Sequence, residues 1–254
     1  MIDIHSHILW DLDDGAKDRD ESLAMLKIAA ETGTTDIVAT PHADHQYKYN
    51  PTLVAERILD LTQATAGSPR IHRGCDFHLS LENVQAALGD PTPFTINGLS
   101  YLLVEFGETI IPTSTTEIFR NLIHLGVTPI ITHPERNPIL QDALPLLQSW
   151  IAMGCLLQVT AQCLTDRFGK AAQKSAWTML RKGMVHVIAS DAHDTEHRPP
   201  RLDLAREILT RELGAHLATM LLEENPAAII AGQKIWIEAP APAASPRKWF
   251  QFWT

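Results

Sequence analysis

The chain has 254 residues, 45% hydrophobic and 20% charged, with 21 basic against 30 acidic side chains and a formal net charge of −9. A chain of this length buries a sizeable core without staples, and the composition excludes intrinsic disorder for its bulk. The acidic balance excludes the basic footprint that nucleic-acid binding requires.

Short apolar, β-branched runs alternate with helix-period segments along most of the chain, the pattern of βα units feeding a parallel sheet or barrel. In chain order, strands are expected over residues 2–5, 36–40, 71–76, 101–105, 128–132, 156–160 and 186–190. Helices are expected between them over 20–31, 53–64, 115–125, 140–153 and 170–181, and three more over 202–213, 216–223 and 226–231 close the fold. Gly33, Gly126, Gly154 and Gly183 fall where a left-handed helix cap is wanted. The expected fold is α/β: one distorted, seven-stranded TIM-like (β/α) barrel with C-terminal helices.

No linker divides residues 1–236, which read as one domain. Residues 237–254 change texture to a Pro/Ala-rich spacer ending in Arg247-Lys248-Trp249-Phe250-Gln251-Phe252-Trp253. The tip reads either as aromatics docking on the parent domain or as an adhesive end for a membrane surface, a partner or a neighbouring subunit in a homo-oligomer. The N-terminus lacks the basic-then-apolar pattern of a secretory signal, and no window reaches the roughly 18 apolar residues of a membrane span. A cytoplasmic protein is expected.

The 12 histidines stand against only 3 cysteines, Cys75, Cys155 and Cys163, which offer neither a disulfide framework nor a cysteine zinc cluster. Any bound metal is then held by imidazole and carboxylate. Residues of that type stand where the apolar strands stop: His5 and His7, His42, Asp76, Glu105, His133, and Asp191 with His193. In a parallel barrel all C-terminal strand ends converge on one face, so these residues meet there. His5 and His7, two apart on an extended segment, face the same side and can grip one ion, and Asp191 and His193 repeat the spacing. Such a donor set suits manganese, iron or zinc, with room for more than one ion.

The segments Met1-Ile2-Asp3-Ile4-His5-Ser6-His7, Asp13-Asp14-Gly15, Ala39-Thr40-Pro41-His42, Thr132-His133-Pro134-Glu135-Arg136-Asn137 and Ala189-Ser190-Asp191-Ala192-His193 resemble the polymerase and histidinol phosphatase (PHP) superfamily. Within it the chain is similar to the bacterial metal-dependent tyrosine-protein phosphatases of capsule and exopolysaccharide synthesis, from residue 1 to about 235. The resemblance implies a PHP-type barrel holding two to three divalent ions, manganese first, with iron, zinc or cobalt as alternatives. It implies that one ion takes His5, His7 and Asp191, that Asp76 bridges to a second bound by Glu105 and His133, and that Asp14, His42 and His193 hold a third. Arg136 and Arg198 would clamp phosphate, since guanidinium forks match its oxygens. The implied reaction is attack of a metal-bridging hydroxide on phosphotyrosine of a partner protein, a bacterial tyrosine kinase, with no covalent intermediate.

The sequence also departs from that pattern. Asp76 stands where the family has glutamate, Ala43 where many relatives have a second histidine, and Trp10-Asp11 replaces proline-glycine. Asp14 reads equally as part of a solvated turn, His78 as a neighbour of the ligands, His45 as a spare ligand or a loop residue, and Glu135 as a local hydrogen-bond acceptor or a partner of a surface arginine. His72, His124, His186, His197 and His216 read as structural. No Cys-x5-Arg cradle surrounds any cysteine, so thiol chemistry is not expected. Two other functions stay open: a small-molecule phosphatase of the histidinol-phosphate type, and a non-catalytic metal-binding regulator.

Overall fold

In the computed structural model, which describes residues 1–235, nine parallel strand segments form two sheets. They are β1 (Ile2–Ser6), β2 (Asp36–Ala39), β3 (His42–Ala43), β4 (Arg70–Arg73), β5 (Asp76–His78), β6 (Tyr101–Glu105), β7 (Thr128–Thr132), β8 (Leu156–Thr160) and β9 (Val187–Ala189). One sheet has the order β1-β2-β4 and the other β3-β5-β6-β7-β8-β9. The tail expected over 237–254 lies outside the described residues.

The expectation of seven continuous strands is corrected here: two of them are broken, and the breaks face each other. Residues 36–43 break at Thr40-Pro41, where proline supplies no N–H to a ladder. Residues 70–78 break at Gly74-Cys75. Pairing runs across the gap through Gly74 N–H to the Ala39 carbonyl at 2.9 Å and Asp76 N–H to the Pro41 carbonyl at 3.1 Å. Gly74 is required by crowding, since a Cβ there would stand 2.8 Å from Val38 Cγ1 and 3.0 Å from Thr40 Cγ2. At the far side, Asp191 N–H reaches the His5 carbonyl at 2.9 Å and His7 N–H the Ala192 carbonyl at 2.8 Å, joining β1 to the segment after β9.

The helices are α1 (Arg19–Glu31), α2 (Pro51–Ala64), α3 (Leu81–Gly89), α4 (Thr115–His124), α5 (Pro138–Asp142), α6 (Leu144–Met153), α7 (Gly169–Arg181), α8 (Asp203–Leu213), α9 (Ala215–Thr219) and α10 (Asn225–Ile230). Side-chain caps start the first three: Asp18, Asn50 and Ser80 each accept from a first-turn N–H. The single helix expected over 140–153 is split at Ala143, because Pro145 opens α6 and cannot sit inside a continuous helix. A π turn over Met220–Glu224 joins α9 to α10 just ahead of Pro226. Gly33, Gly126, Gly154 and Gly183 all have positive φ after their helices, as the sequence predicts. No helix among the described residues is long and apolar enough to cross a membrane.

Strands buried on both faces send alternate residues into different layers. Leu103, Ile130, Leu156 and Val187 pack together, whereas Leu102, Ile131, Leu157 and Ile188 pack against the helices with Phe119 and Trp150. Two residues further along the first of these faces come Glu105, Thr132 and Gln158, while Ala189 still belongs to the apolar layer. The apolar layer therefore ends where polar residues begin, at the C-terminal ends of the strands.

Candidate metal centre

All nine ligand candidates read from the sequence come together at those strand ends. They form four overlapping groups whose ligand atoms lie within 4.8 Å of one another: His7-Asp14-His42-His193, His42-Asp76-His78-Glu105, His5-His7-Asp76 and His5-His133-Asp191. Members of the implied sets stand together, Asp14 with His42 and His193 in the first group and Glu105 3.3 Å from His133, and the groups also overlap across those sets. His7 stands with Asp14, His42 sits between two groups, and His78 joins as a tenth member, its Nε2 2.5 Å from Glu105 Oε2. His78 lies two residues beyond Asp76 on β5, so period-two spacing was the signal for it. The other structural histidines and exposed His45 belong to none of these groups.

Two of the strand-end residues hold strained backbone: His133 has φ 29° and Asp191 φ 53°. Non-glycine residues rarely adopt such angles unless the surroundings enforce them, and they cluster at functional sites. Asp191 has the more consequential position, because its two oxygens face different partners. Oδ1 lies 3.5 Å from both His5 Nε2 and His7 Nε2. Oδ2 accepts from Arg198 Nη2 at 2.5 Å and from Arg136 Nη1.

Sequence reading missed the residues that orient these ligand candidates. Asp13, taken as part of an acidic turn, buries its carboxylate: Oδ2 lies 2.6 Å from His7 Nδ1 and accepts the His42 N–H at 3.0 Å. Its Oδ1 accepts the Gly15 N–H at 3.0 Å. Gly15 lets the turn fold this tightly, because a Cβ there would stand 2.1 Å from the His7 carbonyl oxygen. Gln158 Oε1 lies 3.0 Å from His5 Nδ1. Both partners leave the Nε2 atoms facing the cluster, the arrangement that fixes a ligating imidazole's tautomer. Glu135 is fully buried and accepts the Thr160 N–H at 2.8 Å, and among the described residues it pairs with no surface arginine. In the first loop Trp10 carries the Arg57 guanidinium 4.1 Å from its ring centre.

The electrostatics favour positive charge at the centre. Burial opposes ionisation of Asp76 and Asp191, yet His5 and the other cationic neighbours hold both carboxyls well below the usual range. Burial likewise opposes a charge on His5, and Asp76 and Asp191 overcome it, raising its pKa to about 9. His193 goes the other way, lowered to about 4 by burial and by His7. The donors fit divalent ions on a second count. Asp76 Oδ2 and His42 Nδ1 are buried 3.1 Å apart, and neither they nor Asp76 Oδ1 has a properly aligned hydrogen-bond partner. Buried polar atoms are rarely left so, and carboxylate oxygen with imidazole nitrogen is the donor set of such ions.

Residues 1–231 match the model of the CpsB/CapC family, described as capsular polysaccharide synthesis. The tyrosine-protein phosphatase CpsB of Streptococcus pneumoniae is 34% identical over 247 residues, covering 92% of this chain and 100% of that one. Crystal structures of YwqE from Bacillus subtilis and CpsB from S. pneumoniae, described as metal-dependent tyrosine phosphatases, include a chain matching at TM-score 0.88 and 31% identity. That match covers 96% of this chain and 100% of the other. A β-aspartyl dipeptidase from Fervidobacterium islandicum, at TM-score 0.58 and 13% identity over 90% of this chain and 72% of its own, shares the fold alone. The chain belongs to the CpsB/CapC family.

Proposed function

We propose that this protein is a metal-dependent protein-tyrosine phosphatase acting on a phosphotyrosine partner, a bacterial tyrosine kinase controlling capsule or exopolysaccharide synthesis. One observation carries the reading: Asp191 joins an imidazole-carboxylate cluster to a pair of arginines through opposite oxygens of one carboxylate. The family membership supports it.

His5, His7, Asp14, His42, Asp76, Glu105, His133, Asp191 and His193 would hold two to three ions, manganese first, with His78 at hand beside Glu105. Bound ions supply charge that acidifies an attacking water and offsets the negative phosphoryl oxygens. The chain's own residues do the rest. Asp13 and Gln158 orient His7 and His5, and Asp191 anchors Arg136 and Arg198 so that their remaining N–H groups can take phosphate oxygens. Those guanidiniums neutralise charge that shifts as the bond to the tyrosyl oxygen breaks. The phenolate that departs has a conjugate acid of pKa about 10, a tolerable leaving group. Cysteine plays no part. Cys75, Cys155 and Cys163 are buried, and burial pushes all three thiols up, leaving no thiolate nucleophile near neutral pH.

The two sheets are read as one distorted seven-stranded barrel whose second and third strands are kinked, supported by the backbone bonds across the kinks and between β1 and the segment after β9. Residues 1–236 are its single catalytic domain. The test is turnover by purified, manganese-loaded protein of a phosphotyrosine peptide against histidinol phosphate. Preferred hydrolysis of the peptide, lost with chelator and in His133→Ala and Asp191→Ala, is expected. Stoichiometric metal with an intact peptide would overturn the enzyme reading, and preference for histidinol phosphate would replace the substrate.

A further inference from the structure

Arg136 and Arg198 pose a physical problem that Asp191 alone does not solve. Two guanidiniums donate to the same carboxylate oxygen, Asp191 Oδ2, so like charges are held side by side. A third element lies against both. The Phe168 ring centre is 4.4 Å from Arg136 Cζ and 5.7 Å from Arg198 Cζ. Both distances fall inside the range over which an aromatic face attracts a cation, and Arg stacks on such faces better than Lys does.

Phe168 is held in place from several directions. It packs against the large apolar core at the start of α7. Trp177 Nε1 and Gln173 Nε2, both on α7, each donate to the Leu164 carbonyl at 3.2 Å, tying the helix to the loop before it. Arg167, next in chain, donates through Nε and Nη2 to the His197 carbonyl at 3.2 and 3.0 Å and through Nη2 to that of Glu196 at 3.3 Å. The loop that carries the ring therefore also grips the loop that carries Arg198. Phe168 and Arg136 also line a cavity of about 280 Å³ together with Glu105 and His133, so the aromatic wall stands at the edge of the candidate metal cluster.

We infer that Phe168 is a positioning residue: its π face holds the Arg136 and Arg198 guanidiniums side by side at the geometry that receives one phosphoryl group. The inference rests on the phosphatase reading for the identity of the group bound, but its test does not require turnover. Phe168→Leu keeps apolar bulk and removes the π face. Phe168→Tyr keeps the face. A fluorinated series, from one to three fluorines on the Phe168 ring, nearly keeps its shape while draining the negative face.

The measurement is calorimetric titration of the manganese-loaded protein with inorganic phosphate, which carries no aryl ring of its own. Phe168→Leu is expected to weaken phosphate binding roughly tenfold, Phe168→Tyr to stay within about twofold, and the fluorinated series to weaken it in order of fluorine count. Unchanged phosphate affinity in Phe168→Leu, or an affinity indifferent to fluorination, would overturn the inference. Because fluorination leaves the packing in place, a misfolded leucine variant does not blunt the test. Ring-dependent phosphate binding in a protein that leaves phosphotyrosine peptide intact would refute the phosphatase reading and leave the role of Phe168 standing.

Discussion

Asp13 makes three hydrogen bonds from one carboxylate, to His7, to the His42 backbone and to Gly15, and so positions two ligand candidates while being none itself. Loss of such a partner costs a metal site roughly 10- to 100-fold in affinity or activity. Asp13→Ala should show that loss in manganese titration and in kcat/KM, with Asp13→Asn retaining more because its amide oxygen still accepts. Equal, undiminished values for both would show that His7 needs no such support. His186, at the opposite end of β9, behaves differently. It accepts the Leu157 N–H through Nδ1 at 3.0 Å, which leaves the proton on a buried, unpartnered Nε2. Burial lowers its pKa from 6.5 to about 4. Between those values the unfolded chain binds the proton and the folded chain does not, so its contribution falls as pH drops from about 6.5 towards 4. Each pH unit across that window is worth about 1.4 kcal/mol. The unfolding free energies from urea titrations at pH 7 and 5 should therefore differ by about 2 kcal/mol less in His186→Gln than in wild type. Equal pH dependence in the two proteins would exclude the histidine as the source.

At the scale of elements, the paired kinks at Thr40-Pro41 and Gly74-Cys75 decide where His42 and Asp76 point. They restart β3 and β5 in register, His42 opposite Asp76, and so bring those two side chains to the same place. Gly74→Ala would force a Cβ into Val38 and Thr40, an overpacking that costs about 1–3 kcal/mol. The loss should appear as a lower urea midpoint with an unchanged slope, accompanied by weaker manganese binding. An unaltered midpoint would mean that the kink relaxes freely. The kinks also explain what could be read in advance. Periodicity located the strands and most helices, because burial on fixed faces writes itself into the residue order. It missed α3, whose signal was the Ser80 cap rather than an apolar stripe, and it missed the breaks, which follow from one proline and one crowded glycine rather than from hydrophobic pattern.

The whole molecule gathers Asp13, Asp14, Asp76, Glu105 and Asp191 into one mouth, so part of its net charge of −9 is concentrated where cations would bind. Ligands that bind only the folded state stabilise it, by about 2.7 kcal/mol at one hundred times Kd. For a chain of this size that corresponds to a rise in Tm of roughly 5–10 °C. Calorimetric scans in manganese and in chelator should differ by that much, and Asp76→Asn should narrow the gap. Identical scans would argue against ion binding at the cluster.

By itself the sequence determined the βα alternation, the strand ends as the place of the candidate ligands, and the donor types, since each is written in local periodicity and residue identity. The tertiary structure alone decided which donors share a group, that Asp13 and Gln158 lie against the ring nitrogens of His7 and His5, and that Phe168 lies against both arginines. Those relations join residues from separate loops, brought within a few ångströms only when the parallel strands stack, and no local pattern in the chain encodes that distance.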